Sequence, residues 1–136
     1  MVNNKFIKTL EKDRLKINEL EAIPSPQHQD VEDLCYDITR ILWWQIENDM
    51  LNLHDREDEM YFFSFVDLLF RFHDIIGFDE NEIYRDDKYE LPFEIIYDIY
   101  DWLNEHDEYT AQVDELKHMI IKRYSENSEM YDYIYN

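Results

Sequence analysis

A single glycine, Gly77, and three prolines serve all 136 residues, and that scarcity restricts the chain more than any other feature. Tight hairpins, phosphate-cradling loops and strained turns draw on residues that reach positive φ or pre-set a turn. A chain almost without them is expected to form long helices joined by few loops. Hydrophobic residues make up 45% of the chain, too many for an intrinsically disordered segment despite the abundant charge. The expectation is therefore an all-α fold: one helical domain over residues 1–136, with a first helix (1–23) able to stand apart and a tail at 125–136.

Apolar spacing places the helices. Phe6, Leu10, Ile17 and Leu20 recur at helical intervals over about 4–21, and Ile23-Pro24-Ser25-Pro26 closes that helix while offering a cap for the next. Val31, Leu34, Cys35, Ile38, Leu42 and Ile46 face inward over about 26–52, with Tyr36, Trp43 and Met50 widening the apolar arc. From Met60 to Ile76 the chain is apolar in nearly every direction, so this stretch is predicted to be the central helix of about five. Asp67, Arg71, His73 and Asp74 within it argue against a membrane span. Gly77 and Phe78 fit a C-terminal cap, and Asp79 and Glu82 have capping-box spacing in a polar connection. Pro92 opens a fourth helix to about 106, and Thr110 to Tyr124 forms a fifth. Met130 to Tyr135 reads as a final helical turn or a loose end.

The missing glycines also remove whole classes of chemistry. No dinucleotide fingerprint, P-loop or nucleophile elbow can be written, so nucleotide-dependent catalysis is not expected. Glu115 and His118 make one E-x-x-H, but a di-iron bundle needs a second copy. The acidic runs at 55–59 and 79–90 lack the pattern of a calcium loop. No cofactor, no metal and no enzymatic role are expected. Cys35 reads as packing, His73 as a hydrogen-bonded core or groove residue, and the lone cysteine with no secretory leader suits a reducing cytoplasm.

Charge is the remaining signal. The chain carries −20 formally, and residues 55–115 hold four basic side chains against twenty acidic ones. Such a field repels nucleic acid and anionic membranes and attracts basic proteins. On the fourth helix Glu94, Asp98, Asp101, Glu105 and Glu108 recur at intervals of four and three, which sets them within about 40° of one line. Like charges so placed weaken a helix, and no Lys or Arg breaks the row. Aromatic residues border it. Acids for steering beside Tyr97 and Trp102 as anchors form the composition of a surface that captures a basic protein.

In size, acidity, helical content and lone cysteine the chain resembles, in kind, the immunity proteins of colicin-type and contact-dependent nuclease toxins. The stretch Glu94-Ile95-Ile96-Tyr97-Asp98-Ile99-Tyr100-Asp101 has their acid-plus-tyrosine character. That resemblance implies an antitoxin that neutralises a basic toxin domain, a nuclease foremost. A phage-type nucleic-acid mimic directed at a restriction or CRISPR protein is the alternative, but it should spread its acids along a whole surface. Residues 1–24 sum to +1 and residues 116–136 to zero. A helical adaptor subunit is the third class.

Overall fold

A computed structural model describes residues 2–23, 28–49, 51–77, 91–123 and 129–135. Among these residues the protein is all-α, with no strand. The caps expected at Ser25-Pro26 and Phe78, the polar connection 79–90, Met50 and Tyr124 lie outside the described residues. Seven helices are described: α1 (Asn4–Glu21), α2 (His28–Tyr36), α3 (Trp43–Asp49), α4 (Arg56–Gly77), α5 (Leu91–Asn104), α6 (Thr110–Arg123) and α7 (Glu129–Tyr135). No described helix is long and apolar enough to cross a membrane. The chain divides into two compact units, Met1–Ile95 and Ile96–Asn136.

In the first unit α1 begins where the Asn3 side-chain oxygen accepts a hydrogen bond from the Phe6 amide at 2.9 Å, satisfying one of the donors a helix start leaves unpaired. It buries Phe6, Leu10, Asp13, Ile17 and Leu20. Four of those five are the apolar positions read from spacing; Asp13 is not. The helix packs on α4 and on the segment linking α2 to α3.

That link corrects the expectation of one uniform helix. Residues Asp37–Leu42 wind as a π-helical turn, and the Trp43 amide donates to the carbonyl of Ile38, five residues back. The Thr39 hydroxyl donates to the Cys35 carbonyl at 2.8 Å, so a side chain occupies an acceptor at the point where the ladder shifts. Tyr36, expected to widen the apolar arc, is 62% exposed, whereas Trp43 and Cys35 are buried.

α4 carries the core, burying Phe62, Phe65, Val66, Leu68, Leu69, Phe70 and Phe72. Phe65 stacks on Trp43 with ring centroids 6.5 Å apart and takes the ring of Phe6 edge-on at 6.4 Å. The helix starts at Arg56, earlier than Met60, because Asp55 acts as its cap. The Asp55 carboxylate accepts from the amides of Glu57 and Asp58 at 3.0 and 3.1 Å. Farther along, the Arg71 guanidinium pairs with Glu21 at 2.6 Å and bonds the Asn18 side chain.

In the second unit Asp107–Tyr109 form a 3-10 turn, and α6 packs against that turn and against α7. Ile96, Ile99, Leu103, Tyr109, Leu116, Ile120, Met130 and Ile134 are buried. The expected tail is thus a docked helix. Lys122 and Arg123 end α6, where positive charge suits the helix dipole.

Candidate partner-binding surface

Helix α5 runs without a single Lys or Arg from Leu91 to Asn104. It stops because the last carbonyls are taken by side chains: Asn104 donates to the Tyr100 carbonyl at 2.9 Å, and the His106 ring lies 2.7 Å from the Trp102 carbonyl. Residue 106 is extended (φ −109°, ψ 100°). The helix therefore ends two residues sooner than its spacing predicts. Glu94, Asp98 and Asp101 stand on it, all exposed, and Glu105 follows directly, its amide still bonded to the Asp101 carbonyl at 3.0 Å. Glu108 belongs instead to the 3-10 turn and leaves the acidic row. Successive acids on the row are separated by about 4.5–6 Å along the axis.

The tail helix has joined this row, a feature that spacing within one helix could not disclose. The Tyr133 hydroxyl donates to both carboxylate oxygens of Asp101 at 2.7 and 2.6 Å. Its ring meets Tyr97 edge-on at 4.6 Å and Tyr100 at 5.8 Å, and the Tyr100 hydroxyl donates to the Ile134 carbonyl at 3.2 Å. The bond to Asp101 is the chief reason that the Tyr133 phenol is pushed up to about 12; burial and the nearby charge of Asp98 act the same way. Beside it Lys117 lies over the rings of Tyr100 and Tyr135, at 6.0 and 5.4 Å from their centroids, within cation–π range.

The proposed anchors are accordingly committed in part to the protein itself. Tyr97 is half-buried against Tyr133. Trp102 is half-buried against His106 and the buried Tyr109, with centroids 4.9 and 5.9 Å away. What remains outward is Glu94, Asp98, Glu105 and the exposed edge of Tyr133, which is 42% exposed. Asp101 sits between them as a holder of Tyr133. Replacing Tyr133 by phenylalanine should remove that bond but keep the ring packing, costing about 0.5–1.5 kcal/mol. Denaturant unfolding measures the cost, and an unaltered midpoint would show that water replaces the phenol at Asp101.

The other residues with chemical potential do not gather. Glu115 and His118 are both exposed on α6, and among the described residues no group of three or more His, Cys, Asp or Glu is placed to hold a metal ion. Cys35 is buried. His73 is half-buried, and burial lowers its pKa, against a smaller opposing effect of Asp74. The acidic run at 55–59 is partly structural, since Asp55 caps α4 and Asp58 is buried. No protein family, curated protein or solved structure matches this chain.

Proposed function

We propose that the protein is an acidic inhibitor, an antitoxin or immunity protein of the cytoplasm, that captures a basic toxin domain, a nuclease foremost. The observation that carries this reading is the exposed row on a helix without any cation, backed by tyrosines that the tail helix holds in place. Exposed carboxylates spaced like neighbouring phosphates can enter a cleft built for a nucleic-acid backbone, and they speed encounter with a positive surface. Tyrosine supplies contact area at low entropic cost where the acids end. An excess of sixteen negative charges over residues 55–115 makes direct binding to nucleic acid unfavourable at every phosphate.

This reading expects a basic nuclease domain to be encoded beside this protein's gene, and such a domain is the partner for the test. Co-expression should rescue growth, and the purified protein should block cleavage. Asp98→Lys with Glu105→Lys spares Asp101, so the bond to Tyr133 and the helical circular-dichroism spectrum should persist. Association should nonetheless slow by about tenfold or more at low salt and by less at physiological salt, because screening weakens steering. Unchanged association of the folded double variant would reduce the row to a solvated face.

A further inference from the structure

Where α1 crosses the π-helical turn, two carboxyl groups meet away from water. Asp13 occupies the inward position of α1 between Leu10 and Ile17 and is 2% exposed; Asp37, the first residue of the turn, is 6% exposed. The Lys12 ammonium lies 2.9 Å from Asp37 Oδ2, which supplies one cation for two acids. Asp13 Oδ2 is buried with no donor from the surrounding protein to satisfy it, so only a proton shared with Asp37 can give it a hydrogen bond. Two adjacent buried carboxylates beside one ammonium leave an uncompensated charge, a cost that a single retained proton removes.

The surrounding charges favour Asp13 as the holder of that proton. Burial above all, then its hydrogen bond with Asp37 and the charges of Asp37 and Asp33, push the Asp13 carboxyl up to about 9, with Lys12 opposing. The Lys12 ammonium is in turn held charged by its bond to Asp37. From α4, Asp58 meets the amide of Val2 and Arg71 meets Asn18 and Glu21, so those charges reach α1 near its two ends. We propose that Asp13 and Asp37 form a one-proton latch between α1 and the π-helical turn, so that lifting α1 releases a proton and becomes easier as pH rises.

The sign follows from the two states. In the closed state Asp13 keeps its proton up to about pH 9, whereas in the open state it ionises near 3.8 as an ordinary carboxyl. The closed state therefore binds one more proton between those limits, and the opening equilibrium grows about tenfold per pH unit there before levelling off. The latch is tightest in acid and weakens through neutrality.

Amide hydrogen exchange along α1, expressed as protection factors and compared between the wild type and Asp13→Asn, tests this. Asparagine keeps a donor toward Asp37 but cannot ionise. Between about pH 5 and 8 the wild-type protection should fall relative to the variant by about tenfold per pH unit. A ratio that stays constant with pH would overturn the proposal. The carboxyl carbon-13 shift of Asp13 in the unaltered protein gives a second reading that needs no variant: a midpoint in the alkaline range supports the latch, and one near 4 overturns it.

Discussion

Replacing Phe65 by alanine should cost about 3–5 kcal/mol of unfolding free energy, the range for emptying a fully buried aromatic site. Phe65 is 0% exposed and joins three helices of the first unit, with its ring stacked on Trp43 of α3 and taking the edge of Phe6 from α1. The loss therefore includes transfer of the ring, the void left among neighbours that cannot all collapse, and two aromatic contacts. Phe65→Leu refills most of that volume and should cost roughly half as much or less. Against a total stability of about 5–15 kcal/mol for a domain, the alanine variant should lose a large part of its margin. Urea unfolding followed by tryptophan fluorescence measures it, since Trp43 reports on the site itself. A loss below about 1 kcal/mol would mean that α4 is not the centre of this unit.

The same packing shows how far spacing carries an interpretation. Every inward position named for α1, Phe6, Leu10, Ile17 and Leu20, is buried, and so are Val31, Leu34, Ile38, Leu42 and Ile46 beyond it. Burial of apolar side chains is what periodicity records, so those elements were legible. Asp13 shows the limit. It stands at the inward position between Leu10 and Ile17, and the gap in the apolar row was the only trace of its burial. An acid there reads as a break in the pattern, because its partner Asp37 lies on another helix at no diagnostic separation. The π-helical turn was equally hidden. A shift from fourth- to fifth-neighbour bonds leaves the same residue types in the same order, and only the bonds of Thr39 and Trp43 mark it.

The surface was legible in half. Spacing set Glu94, Asp98 and Asp101 on one helix and left them exposed, as drawn from the sequence. It extended the row to Glu108 because a helix end decided by the side chains of Asn104 and His106 does not show in a charge pattern. Nor could it indicate that Tyr133, thirty-two residues beyond Asp101, would grip that carboxylate. The consequence is a change in which acids are proposed to steer a partner. Asp101 holds the tail helix, and a variant that reverses it alters two things at once.

A second acid, Asp58 in the run at 55–59, should prove structural with a larger effect than Asp101. Asp58→Ala is expected to destabilise the protein by about 2–4 kcal/mol, although it removes a like charge from an acidic run. The carboxylate is 2% exposed and bridges two otherwise separate backbone donors, the amide of Val2 and the amide of Asn52, each at 3.2 Å. It also stands in the first turn of α4, where negative charge is favoured by the helix dipole. Alanine leaves both amides to find water, and Val2, itself buried, should fray from the body first. Glu57, exposed in the same turn, supplies the control: Glu57→Ala relieves the same repulsion without breaking either bond, and should shift stability by no more than about 0.5 kcal/mol. Urea midpoints of the two variants and their rates of proteolysis near residue 2 decide the matter. Equal, small losses would mean that water replaces the carboxylate at both amides, and the run at 55–59 would become a candidate surface for the basic partner.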